Sequence, residues 1–213
     1  MSTQSQTNKI TRDKIVGLIL EQLESEQLKK QIGANKSNIK ATLNNAIEFL
    51  KFEVFCKGKI AQITGYGKLV PKLKEGGRIV RNPKTGIEKT MHTSATVTRT
   101  DSYAFPTQER LTHKQIVDQF ASSQPNRQLA TFVIESLFSF FKETNDPNVV
   151  IEFRDFGTFY AKKLNAGVAR NPATEEKVMV DDRYKFGFKI GKPFRKELTE
   201  HLEEINFPTN KED

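Results

Sequence analysis

The stretch RNPKTG at Arg81–Gly86 returns almost unchanged as RNPATE at Arg170–Glu175, with the two arginines 89 positions apart. A solenoid unit runs to roughly 20–50 residues, whereas this spacing is about the length of one small domain. Two related halves in tandem are the expectation that follows.

The same elements flank both copies. Upstream, KIAQITGYGKLV and VVIEFRDFGTFYA alternate like β-strands and are interrupted at Gly65, Gly67 and Gly157, where a turn or bulge is expected. Gly67 precedes Arg81 by 14 residues and Gly157 precedes Arg170 by 13, so the copies lie in nearly one register. The Gly-Tyr-Gly is no phosphate loop, since the Lys-Ser/Thr of a P-loop is missing. Downstream, EKTMHTSATVTRT and EKVMVDDRYKF return as strand-like runs. Each Arg-Asn-Pro is thereby the tip of a hairpin, where proline is tolerated because no ladder N–H is needed. Both ribbons read as long and hydrophilic. Lys68, Lys72, Lys74, Arg78, Arg81, Lys84 and Lys89 line the first, and Lys162, Lys163, Arg170 and Lys177 the second. A two-stranded ribbon is marginal by itself, and these charges make something anionic its expected cover.

Before each strand region stand two helical patterns. Leu111-Thr112-x-x-Gln115-Ile116 supplies a Thr N-cap, a capping box and a Leu/Ile staple; Ile10-Thr11-x-x-Lys14-Ile15 repeats the cap and staple but has Lys where the box wants Glu or Gln. A second helix is read from Ile39, Leu43, Ala46, Ile47, Leu50 and Val54, with Gly58 as a stop, and its counterpart from Ala130, Val133, Ile134, Leu137, Phe138 and Phe141. That Phe-rich stripe reads as core or subunit interface, because no convergent polar groups accompany it.

The composition sets the outer bounds. With 213 residues and 36% hydrophobic content the chain can bury a core, and its net charge of +8 points to a polyanionic partner. The charge is unevenly spread: residues 1–105 hold 18 Lys/Arg against 9 Asp/Glu, while residues 106–213 hold 16 against 17. No run approaches the roughly 18 apolar residues of a membrane span, and the polar opening MSTQSQTNK has no signal-peptide character; a cytoplasmic location and no membrane partner are expected. The single Cys56, among apolar neighbours, is read as a buried structural thiol. His92, His113 and His201 have no spacing or acidic partner that makes a metal site or triad, and no catalytic constellation is visible, so neither enzyme activity nor a cofactor is expected.

In this order of elements, Phe156-Gly157-Thr158-Phe159, Ala169-Arg170-Asn171-Pro172-x-Thr174 and Phe188-Lys189-x-Gly191-Lys192 resemble the bacterial histone-like family of HU and integration host factor. The resemblance runs from Leu111 to about Leu202. The first half keeps Gly65-Tyr66-Gly67 and Arg81-Asn82-Pro83-x-Thr85-Gly86. It differs in Lys68-Leu69, in one extra ribbon residue, in the longer ESEQLKKQIGAN between its helices, and in having DSYAFPTQER where the family's last short helix stands. The resemblance implies an α+β fold in which an intertwined helical body carries two protruding β-ribbon arms. Family members form it as dimers; here it implies a single-chain, monomeric pseudo-dimer. The expected boundaries are a polar tail at 1–9, a first half at 10–98, a linker at 99–110, a second half at 111–205 and a polar tail at 206–213.

The partner implied is double-stranded DNA, bound largely without sequence preference in a nucleoid-associated role. Bending tens of degrees over 20–30 base pairs costs of order 1–6 kcal/mol. Architectural proteins offset it by wedging an apolar side chain between base steps of the minor groove. Pro83 and Pro172 suit that wedge, Arg81 and Arg170 the narrow groove, and Asn82 and Asn171 its base-edge acceptors. Lys189, Lys192, Arg195 and Lys196 either extend a phosphate track along the body or form an ordinary solvated face. Two alternatives stay open: a site-specific bender like integration host factor, or a scaffold or virion component with weakened DNA binding, to which Glu175-Glu176 and Asp181-Asp182 lend weight.

Overall fold

The computed structural model describes residues 8–210 apart from 24, 82, 102–107 and 171–174. The first half comprises β1 (Asn8–Thr11), α1 (Arg12–Glu21), α2 (Glu26–Gln31), α3 (Lys36–Phe49) with a π-helical continuation Leu50–Phe55, β2 (Ile60–Ile63), β3 (Gly67–Lys74), β4 (Ile79–Arg81), β5 (Glu88–Thr90) and β6 (Ser94–Thr100). The second comprises β7 (Arg110–Leu111), α4 (His113–Ser122), α5 (Arg127–Glu143), β8 (Val149–Phe153), β9 (Gly157–Leu164), β10 (Gly167–Arg170), β11 (Lys177–Val180), β12 (Arg183–Ile190), α6 (Lys192–Glu204) and β13 (Thr209–Asn210).

Helix starts follow the local sequence. Thr112 and Gln115 complete a reciprocal capping box on α4, whereas the Thr11 side chain caps nothing on α1 and Lys14 Nζ instead donates to Asn8 Oδ1 at 3.0 Å. A missing N-cap hydrogen bond costs typically about 1 kcal/mol. The staple pairs Ile10/Ile15 and Leu111/Ile116 are all buried, as is every apolar position anticipated on α3 and α5. Asn35 and Asn126 cap those two helices, accepting from the Asn38 and Leu129 N–H groups.

The halves interlock through the segments just ahead of their first helices. β1 pairs in parallel with β8, placing Ile10 opposite Ile151, and β7 pairs in parallel with β2, placing Leu111 opposite Ala61. Ile151 and Ala61 each stand six residues before the glycine that opens the next strand, so the two contacts are one contact made twice. Asn8 and Lys9, expected in a tail, and Arg110, expected in the linker, are therefore strand. So are Arg99 and Thr100 at the end of β6.

One contiguous core draws on both halves. Phe141 stacks on Phe159 with centroids 3.9 Å apart, and Tyr66 of the first half closes on both rings at 6.0 and 5.8 Å. Each such side chain contributes roughly 1.5–3 kcal/mol by leaving water. Polar ties cross between the halves as well: Arg12 to Asp155 at 2.5 Å, Asn126 Nδ2 to the Ile32 carbonyl at 2.9 Å, and Ser136 Oγ to Gln22 Oε1 at 2.9 Å. Cys56 is buried, and desolvation pushes its thiol up to about 12, as befits an inert packing residue.

Insertions account for the unequal lengths. Within the longer inter-helix segment Glu26–Gln31 folds as α2, capped by Ser25 and with no buried residue of its own, while Ile32 and Ala34 after it join the core. From Asn35 to Ala61 the first half has 26 steps against 25 from Asn126 to Ile151. A π-helical turn takes one residue more than an α-turn, and Leu50–Phe55 is where that residue fits. Between β6 and β7 no helix stands among the described residues. The second half's α6 instead packs across β6 and the π-helical turn, burying Phe194, Leu198 and Leu202. Ala95 N–H donates to Thr199 Oγ1 at 2.9 Å, and the buried Lys51 sits between Glu48 at 3.2 Å and Glu197 at 3.0 Å. Burial opposes the charge on Lys51, but its carboxylate partners outweigh it and hold its pKa above the usual value. Beyond α6, Thr209 and Asn210 pair in parallel with Leu73 and Lys74 of β3, so part of the expected C-terminal tail is a strand at the foot of the first arm.

Candidate nucleic-acid interface

Both ribbons project as antiparallel pairs. In the first, β3 and β6 run from Lys68 opposite Thr100 to Lys74 opposite Ser94, and β4 and β5 resume with Ile79 opposite Thr90 and Arg81 opposite Glu88. Five residues thus advance on the outgoing strand against four on the return, which locates the extra ribbon residue as a bulge at Gly76-Gly77. Gly77 takes φ +90°, its N–H donates to the Met91 carbonyl at 2.9 Å, and the Gly76 N–H reaches Thr93 Oγ1 at 3.3 Å. In the second ribbon the register is unbroken from Gly157 opposite Ile190 to Arg170 opposite Lys177.

The tips share one device. Arg81 Nε donates to the Gly86 carbonyl at 3.1 Å, and Arg170 Nε to the Glu175 carbonyl at 3.1 Å. Gly86 and Glu175 both have left-handed backbone, at φ +70° and +58°. Each turn is closed by its own arginine. In the second arm the same guanidinium also meets the Glu175 carboxylate at 2.7 Å, and lower down Lys163 meets Asp182 at 2.6 Å.

Pro83 lies exposed in the first tip. Asn82, Asn171 and Pro172 lie outside the described residues. Lys74, Arg78, Lys84, Lys89, Lys162, Lys163, Lys177, Lys189, Lys192, Arg195 and Lys196 are exposed and Lys72 is partly buried. Lys68 departs from expectation. It is 7% exposed at the foot of β3, where the ribbon enters the body, and does not present its charge on the arm.

Other features of the surface escaped the sequence reading. Arg99, assigned to the linker, holds the junction between halves: its Nε donates to the Tyr66 carbonyl at 2.6 Å, and its guanidinium lies 4.9 Å from the Tyr66 ring and 5.2 Å from the Phe186 ring of β12. Beside it Arg183, Tyr184 and Lys185 line an open cleft of about 580 Å³. The signal for them was present, since Arg183, Lys185 and Lys189 recur at even spacing and so share one face of β12. The arms are also less hydrophilic than expected, with Ile79 64%, Ile87 66%, Val168 62% and Met179 71% exposed. His113 does have an acidic partner, Glu135 at 2.8 Å, and its ring stands edge-on to Phe138 at 5.0 Å; the partner comes from α5, beyond the reach of local spacing. His201 bonds the Glu197 carbonyl within its own helix.

A family model described as bacterial DNA-binding protein matches residues 111–199. Integration host factor subunit beta of Burkholderia multivorans is 32% identical over 90 residues, covering 41% of this chain and 84% of that protein. The protein of that name from Paraburkholderia phytofirmans matches to the same extent. The chain belongs to the bacterial DNA-binding protein family. A solved structure, described as an Anabaena HU–DNA cocrystal structure, covers 39% of this chain and 92% of its own at 24% identity and a TM-score of 0.32. The family match takes in the second half; the first half repeats its Asn helix cap, its strand-opening glycine and its tip arginine. Among the described residues no helix is long and apolar enough to cross a membrane, and no group of three or more His, Cys, Asp or Glu could hold a metal ion.

Proposed function

We propose that this chain is a non-enzymatic architectural protein that holds duplex DNA between its two basic arms, bends it with Pro83 and Pro172 as minor-groove wedges, and works as a monomer standing for a dimer. The observation that carries this reading is the doubled parallel interlock, β1 with β8 and β7 with β2, which brings both arms out of one body built by one polypeptide. The exposed lysines and arginines supply phosphate contacts, and the arginine-closed first tip carries the exposed Pro83. A nucleoid-associated place in the cell follows from such a role.

Titration of the purified chain against random duplex at several salt concentrations tests it. With about six to ten phosphates contacted, affinity falls roughly 10³- to 10⁵-fold between 50 and 200 mM salt. Absent or salt-independent binding contradicts the proposal. The relatives' name, integration host factor, supports a second reading as a site-specific bender. A complex that resists excess random competitor would favour it.

A further inference from the structure

The two arms spring from strands that touch, since β6 of the first lies against β12 of the second. Register sets Arg99 opposite Leu69 in the first sheet just as it sets Phe188 opposite Phe159 in the second. The matched side chains reach different places. Phe188 closes on Phe156 and Phe159, with centroids 5.0 and 4.6 Å away, inside its own half. Arg99 crosses over: its guanidinium is within cation–π range of Tyr66, at the turn that opens β3, and of Phe186 on β12, at 4.9 and 5.2 Å. Its Nε donates to the Tyr66 carbonyl at 2.6 Å, and with only 11% of the side chain exposed its charge faces the junction. A guanidinium suits such a place because it is planar, weakly hydrated and stacks on aromatic faces. Gly67 leaves the room. A Cβ there would stand 3.3 Å from Arg99 Nε and 2.7 Å from the Asp101 carboxylate oxygen that Arg99 Nη2 meets at 3.5 Å.

We infer that Arg99 is a positioning residue that fixes the spread of the two arms, by pinning β12 of the second to the turn at the foot of the first. Swinging either ribbon about its foot separates Phe186 from Tyr66, and one guanidinium then cannot stay on both rings and keep its carbonyl bond. The pin comes from the first half alone, because the matching place in the second holds Phe188. Its use on DNA rests on the reading proposed above: arms held at one spacing offer duplex a preformed saddle, and binding has less ordering left to supply.

Single-molecule energy transfer across the free, full-length protein tests the pin without DNA. Dyes are attached to Thr90→Cys and Met179→Cys, exposed places opposite the residue two before each tip arginine, while the buried Cys56 stays unlabelled. One narrow distance distribution is expected. Arg99→Leu removes the pin, and Phe186→Leu removes its far platform while leaving the bond to the Tyr66 carbonyl. Each should raise the population outside the wild-type peak about 5- to 30-fold, the factor that corresponds to a desolvated cation–π contact, and the double variant should add little to either. Tyr66→Phe keeps ring and carbonyl and loses only a hydroxyl without a hydrogen-bond partner, so the peak should stay. It should stay as well in Asn126→Ala, which removes a helix cap and a tie between halves within the helical body. An unchanged distribution in either leucine variant, whatever its stability, makes Arg99 a packing residue and overturns the inference. Equal broadening in Asn126→Ala means general loosening and overturns it too. On end-labelled random duplex at saturation, Arg99→Leu should give a wider spread of bends than wild type; an identical spread overturns the saddle role. If wild type binds no duplex, the DNA-binding reading fails, and the distances in the free protein still decide whether Arg99 pins the arms.

Discussion

Ile10 beside Ile151 and Leu111 beside Ala61 are equivalent contacts, yet a few residues away, at the arm feet, the halves part company. Leu69 faces Arg99 in the first sheet where Phe159 faces Phe188 in the second. Tyr66 accordingly lies under a guanidinium, and its counterpart Phe156 lies 5.0 Å from a second phenylalanine ring. The first arm is bulged and has β13 along its edge; the second is regular and partly neutralised by its own carboxylates. A self-pairing subunit must present one surface twice, so any change is felt on both sides. Two halves in one chain must keep only the surfaces by which they grip each other. Divergence is accordingly concentrated in the arm feet, the tips, the inter-helix insertion and α6.

If both prolines are wedges, Pro83→Ala and Pro172→Ala each remove about one kink's share of the 20–90° seen for such insertions, and the double variant binds but scarcely bends. Energy transfer across end-labelled duplex, with each variant at saturation, reads this. An unchanged end-to-end distance in the double variant shows the prolines to be turn residues only.

Gly157 sharpens the contrast at the arm foot. Its backbone is ordinary, but a Cβ there would lie 2.5 Å from Phe188 Cζ and 2.6 Å from the Lys189 carbonyl oxygen. Gly157→Ala should lower stability by about 1–3 kcal/mol, the usual cost of overpacking, and denaturant unfolding measures it. A neutral result means that Phe188 and its strand can shift. Next in size is the charge asymmetry of the arms. Lys72→Ala with Lys74→Ala should weaken duplex binding more than Lys162→Ala with Lys163→Ala, because the first arm is the more basic. Equal losses would make the asymmetry incidental.

The smallest effect concerns the pair between halves, Arg12 and Asp155. Burial alone would raise the Asp155 carboxyl, but the hydrogen bond and charge of Arg12, with a backbone hydrogen bond, outweigh it and set its folded pKa below the usual value. A depressed carboxyl contributes stability above its unfolded pKa of about 3.9 and loses it as pH falls through the folded value. Asp155→Asn should therefore be less stable at neutral pH, by under about 1 kcal/mol for so exposed a pair. The gap to wild type should close below about pH 4. A gap that is the same at pH 7 and pH 3 contradicts the pairing.

Much of this was legible because it rests on side-chain pattern. Thr112 with Gln115, the stripe from Ala130 to Phe141, the strand glycines and the repeated tip are written in residue types at fixed spacing. What stayed hidden rests on backbone pairing or distant partners. β1, β7 and β13 are two to four residues long and are held by ladder bonds to strands far along the chain. α2 buries nothing, so it has no apolar stripe to announce it. Lys68 alternates with its neighbours like any arm residue, and only the docking of the ribbon foot on the body buries it. Arg99 fell beyond the expected boundary of the first half because nothing local marks its contacts with Tyr66 and Phe186.

Two arms on one chain make the stoichiometry of the DNA complex the decisive observation. Native mass spectrometry of the chain with a bent duplex should find one polypeptide of 24.3 kDa per DNA molecule, and the same monomer without DNA. Two chains per duplex, or a stable dimer in the free protein, would mean that the halves pair between chains and that the interlock of β1 with β8 and β7 with β2 is not made within one.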